Sequence, residues 1–181
     1  MWKKIFMKRI FHPFLLLVLI AVPVFSQDTE GIEIHIRYFD KKLYYTDSPI
    51  MIKIEITNNT PNTFRFELAD NRIFNIDFEV RTLSNRPLPR SEKLNTERTS
   101  NQQVFFRDVT LGPMEQFSFY EDLSNYIQID GPGAYIVQAV FYSDLITPGV
   151  RTDTYRSNLL NLSIRPGERD IHLPVYEDTT E

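Results

Sequence analysis

The chain is predicted to fold as an all-β, antiparallel sandwich of seven to nine strands, and three observations predict it. Apolar residues recur at every second position in segment after segment: Ile50, Ile52, Ile54 and Ile56, then Phe74, Ile76, Phe78 and Val80, then Tyr135, Val137, Ala139 and Phe141. Turn-forming clusters of Asn, Pro and Gly separate these segments at near-regular spacing. Ten phenylalanines lie between residues 39 and 141, enough aromatic mass for a core that needs no cross-links. Period two places alternate side chains on opposite faces of a strand, whereas on a helix the same apolar set would spiral round every side.

The first 26 residues read as a leader outside this fold. Lys3, Lys4, Lys8 and Arg9 precede an apolar run from Phe14 to Phe25, and Val24 and Ser26 supply the small residues of a cleavage site before Gln27. This is the pattern of a secretory signal, and Pro23 and the shortness of the run argue against a membrane anchor. Met7 is an alternative start. The expected location is periplasmic or extracellular, with no stable membrane insertion once the signal is cut. The leader holds four of the twenty Lys and Arg and none of the acids, so the remaining 155 residues carry a net charge of −8. An acidic chain with no basic run is a poor ligand for nucleic acid. No cysteine is present, which excludes disulfides, thiolate metal sites and a lipid-modified N-terminal cysteine. Stability must come from packing alone.

The elements follow in order. Gly31 opens a strand with Ile32, Ile34, Ile36 and Tyr38 on one face and Glu33, His35 and Arg37 on the other. A turn near Asp40 leads to the isoleucine strand, where β-branched side chains suit a half-buried pleat. Asn58 to Asn62 is a turn containing Pro61, and Phe64, Phe66 and Leu68 alternate with Arg65 and Glu67. The Phe74–Val80 strand comes next. Residues 84–103 break the rhythm with Pro87, Pro89 and many charges. They read as a short edge strand near Pro87–Ser91 followed by a mobile loop, with 92–101 removable without loss of folding and no helix anywhere. Val104–Leu111 resumes the strand pattern, with Phe105 and Phe106 facing opposite ways at a bulge or a second packed face. Phe117 and Phe119 follow the Gly112–Glu115 turn, and Leu160, Leu162 and Ile164 mark the last strand. The domain is expected over residues 31–166, with an acidic flexible tail at 167–181.

Several of these segments together carry a resemblance. An Ile-rich strand ends in Asn-Asn-Thr, Phe-x-Phe and Phe-x-Ile-x-Phe strands follow, then Val109-Thr110-Leu111-Gly112-Pro113-Met114-Glu115 and Pro132-Gly133-Ala134-Tyr135-Ile136-Val137. Residues 46–143 resemble bacterial immunoglobulin-like domains of the type found in the Bacillus intracellular proteinase inhibitor. The resemblance implies an immunoglobulin-like antiparallel β-sandwich in which Tyr135, after Pro132 and Gly133, forms a tyrosine corner. It also implies protease inhibition as an alternative function. The chain departs from that pattern in its longer mid-domain loop and in Met114, where a Gly is usual.

Catalytic chemistry is hard to place. His35 sits on a polar strand face and His172 lies in the tail, too few for zinc without cysteine. Glu115, Glu121, Asp122 and Asp130 could hold calcium by loop oxygens, but their spacing carries no ligand pattern. No nucleophile elbow or phosphate loop is present. No catalytic, metal or cofactor residues are therefore assigned. The sequons at Asn58 and Asn161 would accept glycans only in a eukaryotic secretory route. The reading is a non-enzymatic exported module that binds a protein partner through a sheet edge and the 84–103 loop, with Arg86, Pro87, Leu88, Pro89 and Arg90 as candidate contacts. A metal-dependent hydrolase is the third option.

Overall fold

A computed structural model of the chain describes residues 31–39, 43–46, 48–146 and 153–167. In chain order its strands are β1 (Ile32–Tyr38), β2 (Leu43–Tyr45), β3 (Met51–Asn58), β4 (Phe64–Ala69), β5 (Ile76–Thr82), β6 (Phe106–Leu111), β7 (Gln116–Asp122), β8 (Gly133–Tyr142), β9 (Thr154–Arg156) and β10 (Leu160–Arg165). One α-helix, α1 (Glu92–Thr99), stands among the described residues, with short 3-10 turns at Arg72–Phe74 and Leu123–Asn125. The proposed signal at 1–26 and the tail from 168 lie outside them.

One sheet has the order β1-β3-β7 and the other β2-β10-β8-β5, with β9 also on β8. All pairings are antiparallel except β10 with β2. The all-β sandwich expected from the sequence is the fold. The ten strands among the described residues exceed the expected seven to nine because β2 and β9 are three residues each, too short to show an alternation. The expected strand at Phe74 begins two residues later, since Asn71 caps a helical turn there through Ile73 N–H.

The isoleucines of β3 are buried, and they share one core with Phe66, Phe78, Val137, Phe141 and Leu162. Burying each such side chain is worth roughly 1.5–3 kcal/mol. Phe66 meets Phe141 edge-on at 5.3 Å between centroids and Phe117 at 5.9 Å, so β4 carries an aromatic wedge between the two sheets.

β4 and β6 form a separate two-stranded ribbon. β3 runs through Asn58 toward β4, and β6 returns through Gly112–Glu115 into β7, so the ribbon continues the β3–β7 pair beyond a corner. Asn58, fully buried, pins that corner. Its Nδ2 donates to the carbonyls of Asn62, Leu111 and Gly112 at 2.8, 3.0 and 3.0 Å. Its Oδ1 accepts from the Thr60 N–H and hydroxyl. The Asn58 amide is therefore closed to glycosylation in the folded state. A second buried amide, Asn75, ties β4 to the β5–β8 sheet by accepting from Ala69 N–H and donating to the Glu67 and Tyr142 carbonyls.

Met114, at the turn, has φ 62°, a left-handed conformation that penalises a side chain by roughly 1–2 kcal/mol. Met114 is also exposed, so little packing offsets that cost. Met114→Gly is expected to raise the urea midpoint, by about 0.5–1 kcal/mol of stability after the entropy of the freer unfolded chain is counted. An unchanged or lowered midpoint would refute the strain.

The tyrosine corner is present: the Tyr135 hydroxyl donates to the Gly131 carbonyl at 2.9 Å. A Cβ on Gly133 would lie 3.1 Å from that hydroxyl oxygen, which explains the glycine. The outer edge of β1 is closed by Asn158, whose amide accepts from Ile36 N–H at 2.7 Å and donates back to Ile36 O at 3.2 Å. A side-chain amide thus replaces a neighbouring strand.

Candidate functional site

The sequence expectation for residues 84–103 is the part the structure corrects most. No continuous edge strand forms at Pro87–Ser91; two isolated bridges do, Arg81 with Pro87 and Arg90 with Ile127. Thr82 and Leu88 N–H bond to the carbonyls of Arg86 and Val80, so this segment covers the free side of β5. The following residues are no mobile loop. Ser91 caps α1 by accepting from Leu94 N–H at 3.0 Å, and Leu94 is fully buried. The signal was weak because only Leu94 is buried along the helix, which leaves no amphipathic repeat to detect; the cap, Ser91-x-x-Leu94, was the readable trace.

Arg98 fastens this helix to the fold. Its guanidinium donates to Ile73 O twice, to Ile76 O at 3.0 Å and to the Asp77 carboxylate at 3.1 Å. Arg90 reaches the same Asp77 oxygen at 2.8 Å. Of the five residues expected to meet a partner, Arg90 is thus engaged within the chain, and Leu88 packs against the core. Arg86, Pro87 and Pro89 are exposed.

The acids considered for calcium are all spent internally, and they are not gathered. Glu115 accepts from Gly112 N–H, Asp122 from Ile50 and Ser124 N–H, and Asp130 from Gln128. Glu121 accepts from the buried Tyr126 hydroxyl at 3.0 Å. Among the described residues no group of three or more His, Asp or Glu lies where it could hold a metal ion. His35 is half-exposed, 3.7 Å from Glu55, a solvated strand residue. A cleft of about 510 Å³ opens beside the start of α1, lined by Tyr45, Ile50, Ser91, Asp122 and Ile127 among others. Ser91 and Asp122 there are already bonded to backbone, so no reactive set converges on it.

Burial pushes the Glu121 carboxyl above its ordinary range, against the opposing bond from Tyr126 and the nearby Arg72. An acid with a raised folded pKa contributes stability in full below its unfolded pKa, and that contribution fades as pH rises through the folded value. Glu121→Gln keeps an oxygen for Tyr126 and cannot ionise. Wild type and variant are expected to match near about pH 4, with the variant the more stable near about pH 8, as read from urea midpoints. An equal difference at both pH values would refute a buried, titrating Glu121.

What remains unpaired among the described residues is the outer edge of β7 and, continuing it, that of β6. In the β4–β6 ribbon the register pairs Phe66 with Val109 and Glu67 with Asp108. Asp70 N–H bonds to Phe105 O, while Glu67 N–H turns away to Ser143 O. Alternation along an antiparallel pair therefore directs the backbone groups of Arg107 and Val109 into the ribbon and those of Phe106, Asp108 and Thr110 outward. Nothing among the described residues pairs with them. Phe105 and Phe106, which neither bulge nor find a second packed face, are 63% and 50% exposed beside this edge.

Comparison with known proteins gives the chain a family but no matched site. No curated protein sequence matches the chain. Among solved structures it is similar to the C-terminal domain of wzt, at 12% identity and TM-score 0.44, covering 73% of this chain and 70% of that one. It is also similar to part of a β-glucosidase from Listeria innocua in complex with isofagomine, at 12% identity and TM-score 0.37, covering 75% of this chain and 16% of that one. Likeness this loose bears on neither chemistry nor partner. The family model that matches is of another order, since it follows the chain from the second residue of β1 to the last of β10. Across residues 33–165 the sequence fits the flagellar collar protein C N-terminal domain, and the chain belongs to that family.

Proposed function

We propose that this chain is a non-enzymatic structural module of the bacterial envelope, exported by the leader at 1–26, that joins a flagellum-associated collar by binding protein. The observation that carries the reading is the family match over residues 33–165. The site chemistry supports it: the carboxylates weighed as ligands accept from the chain's own backbone, a tyrosine hydroxyl and a glutamine amide, whereas a strand edge is open. No helix among the described residues is long and apolar enough to cross a membrane. Arg86, Pro87 and Pro89 form a second exposed surface that a partner could touch, with Leu88 and Arg90 holding it in place.

A secreted protease inhibitor would need a loop projecting into a protease cleft. The span from 92 to 99 that could supply one is helical, with Leu94 buried, so inhibition is the weaker reading.

The test is deletion of the chain in its native cell. Flagella are expected to remain while collar density is lost from cryo-tomograms; undiminished density would overturn the assignment. Export has a separate check. Trp2 is the chain's only tryptophan, so processed protein is expected to emit as tyrosine alone, and indole emission from the native material would refute cleavage.

A further inference from the structure

We infer that the outer edge of β6 is a docking site for an extended strand of another protein, one carrying a Lys or Arg opposite Asp108 and an apolar residue opposite Phe106. The inference rests on the reading above that this domain binds protein, and it names the surface and the chemistry of what binds there.

Three observations carry it. First, the backbone of Phe106, Asp108 and Thr110 presents three N–H and three C=O groups outward, by the register and the phase of the flanking bonds. Only an extended chain matches such a row. Second, Glu67 and Asp108 lie directly opposite each other on the outer face. Like charges so placed repel, and neither carboxylate has an ion-pair partner among the described residues. A cation on an added strand would relieve them. Third, Phe106 stands half-exposed on that same face, so the added strand gains apolar contact two residues from its cation.

The phase of the edge also decides against a second copy of β6. A closed two-fold pair of such edges runs antiparallel and must set an outward residue against an outward one, because a slip of one residue turns the bonding groups away. Centred on Asp108, that pairing adds further carboxylates to the repelling pair. Centred on Arg107 it opposes two guanidiniums, and centred on Val109 it leaves both charges facing neutral residues. The complementary match, Arg107 against Asp108, is one residue out of phase. A different sequence is required.

The probe is the peptide acetyl-Thr-Val-Lys-Glu-Ile-Thr-amide, which in antiparallel register sets Lys against Asp108, Glu against Arg107 and Ile against Phe106. Its control exchanges the Lys and Glu. Both are titrated into the full ¹⁵N-labelled chain and followed by amide shifts and hydrogen exchange. In the free chain the amides of Phe106, Asp108 and Thr110 are expected to exchange fast while those of Arg107 and Val109 are protected. The Lys peptide is expected to slow the first three by about tenfold or more at saturation, and the exchanged peptide to bind about tenfold more weakly. Asp108→Lys is expected to reverse the preference between the two peptides, a result that loss of folding cannot mimic.

Equal response to both peptides, or protection appearing instead at Gln116, Ser118 and Tyr120 of β7, overturns the inference. So does protection of the β6 amides that grows with protein concentration alone, alongside a sedimenting dimer. Failure here with the collar density still dependent on the chain would reject this edge and leave the proposed function standing. Retained collar density in the deletion strain would reject the function itself.

Discussion

Asn58→Ala is expected to cost about 3–5 kcal/mol, enough to leave a domain of this size close to unfolding at room temperature. The substitution opens little space, so the loss is one of bonds. Three carbonyls, of Asn62, Leu111 and Gly112, lose the donor they share, and Thr60 loses the acceptor for its N–H and hydroxyl. Water cannot replace a fully buried amide there, and an unsatisfied buried polar group costs about 1–3 kcal/mol. Asn58→Asp sharpens the test. It preserves shape and the acceptor to Thr60, but turns a carboxylate toward three carbonyl oxygens. It is therefore expected to be the worse variant at neutral pH and to recover on acidification, when the carboxyl can donate one proton. Urea unfolding near about pH 7 and pH 4.5 checks both. If Asn58→Asp equals wild type, the amide is not the corner pin.

Arg98→Ala is the second large effect, expected at about 3–4 kcal/mol. One guanidinium satisfies the carbonyls of Ile73 and Ile76 and pairs with Asp77, which is itself buried. Its removal leaves that carboxylate the Phe78 N–H on one oxygen and, as its only cation, the exposed Arg90 on the other. Arg98→Lys is expected to recover less than half, because a single ammonium cannot reproduce a planar fork aimed at two carbonyl oxygens and a carboxylate on three residues. The measurement is a double-mutant cycle with Asp77→Asn. Strong coupling is expected between the two sites, and additive losses would show that Arg98 acts through the carbonyls alone. Deleting residues 92–101, read from the sequence as harmless, removes Leu94 and Arg98 together and is expected to unfold the chain.

The long strands were legible because their information is local. Ile52, Ile54 and Ile56 each report one buried face by spacing alone, and Tyr135 carries its corner within five residues, from Gly131. α1 was not legible. Its one buried side chain is Leu94, and the polar ties of Arg98, Glu97 and Lys93 to Asp77, Asn71 and Asn125 make no periodic signal. An open edge was expected near Pro87, but residues 86–88 turn back over β5, and the unpaired edges are those of β6 and β7. Phe105 and Phe106 were visible as an anomaly in the pattern. That they stand in solvent is a matter of what fails to cover them, which no local pattern reports.

By itself, then, the sequence determined the layered β architecture, the strand faces, the Tyr135 corner and the acidic, cysteine-free character that leaves stability to packing. Tertiary structure alone decided which strand edges are sealed, which charges are consumed and which surface stays open. The reason is physical. Side-chain periodicity is set by the backbone's own repeat of two, whereas edge coverage depends on hydrogen bonds between residues as distant as Ile36 and Asn158, or Arg98 and Ile73.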